Sequence, residues 1–191
     1  MFPVLLTHIR RFVDLTDEES ELVLSLVQYK EVKKKEYLLN YGHICTSNYF
    51  IAKGCLRLFV INEKSHEQIV QFGIENWWMT DYDSFEDQKP SKFYIQAVED
   101  SELIKLGRKE RDELVEKVPK MERYFRIILQ KAFTASQRRL QYIFSISGEE
   151  RYHQFSEAFP GFVQRIPQYM LASYLGMTPE FISKIRAKKK K

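Results

Sequence analysis

Cysteine is scarce in this chain. Two residues, Cys45 and Cys55, stand in a sequence of 191. An iron–sulfur cluster takes about four thiolate ligands, so two cysteines exclude one. The expected state is a pair of reduced, partly buried strand thiols, because disulfides do not persist in a reducing compartment. Histidine is equally sparse. His8, His43, His66 and His153 are isolated in sequence, with no His-x-His and no His-Glu-x-x-His to gather a metal. A nucleophile elbow and a phosphate-cradling glycine loop are also missing. No stretch approaches the roughly 18 apolar residues of a membrane span. The opening Met1-Phe2-Pro3-Val4-Leu5-Leu6 is too short for a secretory core and runs into Arg10 and Arg11. The expectation is a cytoplasmic protein with no membrane partner, no cofactor, no metal site and no catalytic residue.

What is present is an ordinary folded composition with an uneven charge. Hydrophobic residues make up 44% and charged residues 29%, which argues against disorder. Residues 1–120 carry 17 Lys and Arg against 21 Asp and Glu, whereas residues 121–191 carry 13 against 5. The net of −4 followed by +8 suggests two tasks, with polyanion binding assigned to the C-terminal part. A solvated basic face with a lysine tail is the plainer alternative.

The chain begins as helix. Phe12, Leu15, Leu22, Val23, Leu26 and Val27 recur at helical spacing, and Thr16 with Glu19 forms a capping box. From about Tyr29 to Leu106 short apolar runs alternate with turn residues. Strands are expected around 36–39, 49–52, 56–61, 69–72, 94–98 and 102–106, and their number suggests a β-roll or jelly-roll. Helix returns at Arg108, breaks at Pro119 and runs to Ser147-Gly148. Met121, Phe125, Ile128, Ala132, Ala135, Tyr142 and Ile146 lie near one stripe, with Ile143 and Phe144 beside it. A helix of about 25 residues spans roughly 37 Å. Such a helix can cover the roll and also form a seam between two subunits, and both roles are expected.

The last segment carries the most specific pattern, from Ile166 to Arg186. Pro167 opens one helix, Leu171 and Leu175 point inward, and small Ala172 permits close approach of a second helix. Gly176 takes the left-handed turn position. Thr178 caps the second helix with Pro179 at its first position, and Phe181, Ile182 and Ile185 are expected as its buried face. Thr178, Pro179, Glu180, Ser183, Lys184 and Lys188 then face outward. Glu180 can accept from cytosine and Lys184 can donate to guanine or phosphate. Gln168, Tyr169 and Arg186 suit phosphate contacts that set register. An ordinary helical hairpin with a surface Glu180–Lys184 pair is the alternative.

These parts resemble the Crp/Fnr superfamily of transcription regulators, of the kind common in Bacteroidetes-type bacteria. Tyr49-Phe50-Ile51-Ala52-Lys53-Gly54-Cys55-Leu56-Arg57 is similar to the family's roll signature, and the segment from Arg165 to Arg186 is similar to its helix-turn-helix. The resemblance implies an α+β protein. A cyclic-nucleotide-binding-like β-roll sensor would occupy 1–118, a dimerisation helix 119–147 and a winged helix-turn-helix 148–191. It also implies double-stranded DNA, a second copy of the chain and RNA polymerase as partners.

One stretch departs from the family. Cyclic-nucleotide binders carry Gly-Glu and, about ten residues later, Arg-Ser or Arg-Thr. Here Asp81 falls near the Glu position, and Ser91-Lys92 replaces the Arg pair with a point charge. Trp77 and Trp78 stand where glycine would let a backbone approach a phosphate. The reading is therefore a regulator that answers to a ligand other than cyclic AMP, or to none. Thr80, Asp81, Ser84, Ser91 and Lys92 are the polar candidates for an unidentified effector, and a pocket filled by its own Trp and Phe side chains is the other possibility. Two further functions stay open: a module whose C-terminal helices bind protein, and a cupin-like enzyme.

Overall fold

A computed structural model describes residues 3–188 of the chain. They fall into two compact units. One comprises Met1–Val60 with Gln71–Gln130, and the other Ile61–Val70 with Lys131–Lys191. The first is a β-roll of two four-stranded sheets. Strands β1 (Gln28–Val32), β8 (Ser101–Gly107), β3 (Ser47–Lys53) and β6 (Trp78–Met79) form one sheet in that order. The second sheet is β2 (Tyr37–Leu39), β7 (Tyr94–Ala97), β4 (Leu56–Ile61) and β5 (Glu67–Gly73). All six expected strands are present. The two missed ones, β1 and β6, have causes in their sequence: Gln28–Val32 is largely polar, and Trp78–Met79 is too short to show a period.

The sheets differ in how they are covered. In β3, Tyr49 and Ile51 face the roll interior with Leu56, Leu58, Met79, Phe85, Ile95 and Leu103. Phe50 faces the other way with Trp78, Ile104 and Leu106, into a second core. That core is closed by α1 (Pro3–Arg10), α2 (Asp17–Ser25), α4 (Arg108–Lys117) and the start of α5 (Lys120–Ser145). A strand buried on both faces loses the apolar–polar alternation, which is why this region reads as continuous apolar runs. The capping box forms as expected: Glu19 N–H donates to Thr16 Oγ1, and Thr16 N–H donates to Glu19 Oε2 at 2.7 Å.

The outer face of the second sheet carries a different arrangement. Arg57 lies opposite Gln96 and donates to its Oε1 from Nε at 2.9 Å, while its guanidinium sits 4.1 Å from the Phe59 ring centre. The Arg of the roll signature is thus a sheet clamp. The signature's Gly54 has φ +105°, and a Cβ there would lie 2.6 Å from Ser101 Cβ, so only glycine fits this turn.

In the second unit α5 ends at Ser145. Ser147 and Gly148, expected to end that helix, instead begin the next. Ser147 caps α6 (Gly148–Ala158) in a capping box with Glu150. Helices α7 (Pro160–Arg165), α8 (Gln168–Leu175) and α9 (Pro179–Lys188) follow. Tyr152, Phe162, Ile166, Met170, Leu171, Ala172, Leu175, Ile182 and Ile185 are its buried apolar residues. Residues 131–188 contain no strand, so the wing that the family resemblance implied has none to build it among the described residues.

Candidate nucleic-acid interface

The turn between α8 and α9 is fixed by two local devices. Gly176 adopts φ +70° and ψ +41°, and Met177 N–H donates back to Ala172 O at 3.0 Å, which closes α8 in the left-handed conformation. Thr178 Oγ1 then accepts from Phe181 N–H at 3.2 Å, and Pro179 takes the first helical position, where its missing N–H leaves no bond unmade. Pro167 stands one place before α8, in extended backbone, rather than within it. Leu171 and Ala172 are fully buried, as is Ile182 facing them from α9. Phe181 departs from the expectation. It is 41% exposed, and its ring lies over Gly148, where a Cβ would meet it at 2.8 Å. Position 181 precedes Ile182 by one residue, about 100° around the helix, which turns its side chain off the core and onto the start of α6.

The outward side of α9 contains Glu180, Ser183, Lys184, Arg186 and Lys188, all exposed, with Thr178 exposed and Pro179 half-buried at its start. Their commitments differ. Lys188 pairs with Glu149 at 3.0 Å. Arg186 donates from Nε to the Tyr152 hydroxyl at 2.8 Å and from Nη1 to Gln168 Oε1 at 3.3 Å. Gln168 in turn donates to Ser183 Oγ and to Pro179 O. Glu180 accepts from its own backbone N–H and from Thr178, which hold its carboxyl below the usual range. Lys184 makes no hydrogen bond or ion pair among the described residues, one helical turn from Glu180. At the start of α8, Tyr169 is 52% exposed. Lys189, Lys190 and Lys191 of the basic tail lie outside the described residues.

Sequence reasoning missed the residues that brace this motif. Arg139 of α5 donates to Val70 O at 2.7 Å, to Ile69 O at 3.0 Å and to Tyr174 O at 2.8 Å, with its guanidinium 4.3 Å from the Tyr174 ring centre. Ser173 Oγ accepts from Ile69 N–H at 2.9 Å and donates to Glu67 O at 2.8 Å. The β4–β5 hairpin tip is thereby pinned to α8 and α5. Burial pulls the Arg139 guanidinium down from its ordinary value. Nothing in the sequence separates Arg139 from its neighbour Arg138.

The expected effector residues sit in the first unit. Four come together. Ser91 Oγ donates to Asp81 Oδ2 at 2.6 Å, and Phe93 N–H donates to Ser91 Oγ at 2.9 Å. Ser84 Oγ accepts from Cys45 N–H, and Thr80 Oγ1 donates to Ser47 O at 3.0 Å. Thr80, Asp81, Ser84 and Ser91 are all buried at 5% exposure or less, whereas Lys92 is exposed and stands apart. The roll interior beside them is filled by Leu58, Met79, Phe85 and Ile95. The tryptophans do not fill it: Trp78 packs in the other core, and Trp77 is 42% exposed.

Known proteins share this architecture. Residues 29–118 match the cyclic nucleotide-binding domain family. The chain is 25% identical over 183 residues to the regulatory protein HlyX of Actinobacillus pleuropneumoniae, covering 90% of this chain and 75% of that one. It is 24% identical to the anaerobic regulatory protein of Haemophilus influenzae, over 90% and 70% of the two chains. Among solved structures, FixK2 from Bradyrhizobium japonicum superposes with TM-score 0.74 at 13% identity, covering 85% of this chain and 83% of that one. The c-di-GMP responsive regulator CLP of Xanthomonas campestris gives 0.74 at 12%, over 92% of each chain. The domain match spans residues 29–118, and over most of its length the chain is similar in sequence and in fold to bacterial regulatory proteins.

Proposed function

We propose that the chain is a cytosolic transcription regulator that binds double-stranded DNA as a homodimer, with α9 in the major groove. Glu180, Ser183 and Lys184 face base edges. Tyr169, Thr178, Pro179, Arg186, Lys188 and the backbone N–H of Gln168 lie along the phosphates. The observation that carries this reading is Lys184, exposed and without a partner among the described residues, on the outer face of a capped helix-turn-helix. Holding an ammonium without a partner beside Glu180 suits a polar target in the groove. Lys184→Ala should cost about 1–3 kcal/mol and relax preference at one base pair per half-site. Selection from a random duplex library tests it. Retention of the wild-type preference, or a wild type that selects no palindrome, would overturn the groove assignment. RNA polymerase is the further partner we propose for the DNA-bound dimer, and an unchanged transcript level from a bound promoter in a purified transcription assay would remove it.

A small effector of the roll would meet Thr80, Asp81, Ser84 and Ser91 with their hydrogen bonds already made to one another and to the backbone. We propose that cyclic AMP is not that effector. A cyclic phosphate needs a cation and open backbone, and the nearest candidate, Lys92, is exposed and apart from the four.

A further inference from the structure

We infer that Gln168 fixes the hydroxyl proton of Ser183, so that Ser183 presents only an acceptor to DNA and reads the exocyclic amine of adenine or cytosine. The inference rests on the groove reading above and specifies one contact within it.

A serine hydroxyl has one proton and two lone pairs, and free in solution it can donate to a keto oxygen or accept from an amine. On α9 that freedom is gone. Pro179 O can only accept, so the group of Gln168 that lies 2.8 Å from it is the amide nitrogen. The same nitrogen lies 2.7 Å from Ser183 Oγ, so its second N–H is given to the hydroxyl. The amide oxygen faces Arg186 Nη1 at 3.3 Å, which accepts nothing and therefore confirms the orientation of the carboxamide. Ser183 Oγ donates its own proton to Pro179 O at 3.1 Å, the i−4 carbonyl. One lone pair remains on the exposed side of the helix. Arg186 is itself braced by the Tyr152 hydroxyl at 2.8 Å, so the chain from α6 through α9 to α8 has each donor and acceptor assigned. Both amide protons of Gln168 are used internally, which leaves its side chain none for a phosphate. Gln168 is thus a positioning residue that acts through Ser183.

The test uses the full chain and the preferred site it selects from random duplex DNA. The base pair read by Ser183 is the one whose preference Ser183→Ala erases. At that pair, adenine is replaced by purine or cytosine by 2-pyrimidinone, each lacking the exocyclic amine. Wild-type affinity is expected to fall about threefold to tenfold, the range of one hydrogen bond, and Ser183→Ala affinity to stay unchanged. Gln168→Met is expected to broaden preference at that pair alone, and to add nothing in the Ser183→Ala background. Full wild-type affinity for the amine-free sites would overturn the acceptor assignment without any variant. Gln168→Met that weakened all sequences alike would overturn the positioning role and return Gln168 to a phosphate contact. A wild type that selected no sequence would instead refute the DNA reading itself.

Discussion

At the scale of single residues, the hydroxyl of Tyr124 shows how a polar atom can be held in an apolar core. Tyr124 is fully buried, and Trp78 Nε1–H donates to its oxygen at 2.8 Å. His8 Nδ1 lies 2.9 Å from the same oxygen. The phenol oxygen accepts the tryptophan proton and shares a second hydrogen bond with the His8 ring, so both polar neighbours are satisfied by one hydroxyl. Burial pushes the phenol well above its ordinary value, which keeps it protonated. Tyr124→Phe fills the same volume and removes the acceptor of the buried Trp78 N–H. Unfolding in denaturant should show a loss of about 1–3 kcal/mol; wild-type stability would mean that water or rearrangement satisfies Trp78. Arg57 teaches a related lesson. Its place in the roll signature was legible, but its bond to Gln96 was not, because that partner lies on a strand about forty residues away.

At the scale of elements, α5 has two different surfaces along one length. Met121 and Tyr124 are buried, and Phe125 and Ile128 pack against the same core. Beyond them Leu129, Phe133, Leu140 and Phe144 are exposed, Phe133 at 64% and Leu140 at 51%. Leu129, Phe133, Ser136 and Leu140 follow spacings of four, three and four, the repeat of a two-helix seam. The apolar stripe expected from sequence ran through Phe125, Ile128, Ala132 and Ala135, one position off this line. Both rows satisfy a helical period, and only the packing separates the row used by the chain's own core. Ile128 is consequently a poor probe of association. Phe133 is 64% exposed and belongs to neither core cluster, so Phe133→Glu should place like charges together at the seam, converting a dimer to monomer in sedimentation at micromolar concentration. A dimer that survived this change, or a wild type already monomeric, would remove the seam.

At the scale of the whole molecule, the chain combines a cyclic nucleotide-binding fold with a helix-turn-helix, yet the polar residues offered for an effector are already bonded, Asp81 to Ser91 and Ser84 and Thr80 to the backbone of Cys45 and Ser47. Calorimetry with cyclic AMP should give no heat of binding at micromolar concentrations, since an entering phosphate would have to break the Asp81–Ser91 bond and find no guanidinium in return. Micromolar binding would show that Lys92 can turn inward and replace the missing fork.

The sequence by itself determined whatever depends on neighbours within a turn or a strand. The capping box at Thr16, the Gly176 turn, the Thr178–Pro179 start of α9 and six of the eight strands follow from local sterics and hydrogen bonding. Glu180, Ser183 and Lys184 were placed on one outward face by periodicity alone. The tertiary structure decided what depends on distant partners: that Gln168 serves Ser183, that Arg139 and Ser173 hold the hairpin tip, that Phe181 covers Gly148, and that Trp78 turns away from the roll interior. The reason is physical. A helical period fixes the direction of a side chain, whereas the group that meets it arrives from another element, and two donors of the same type look alike until that element is in place.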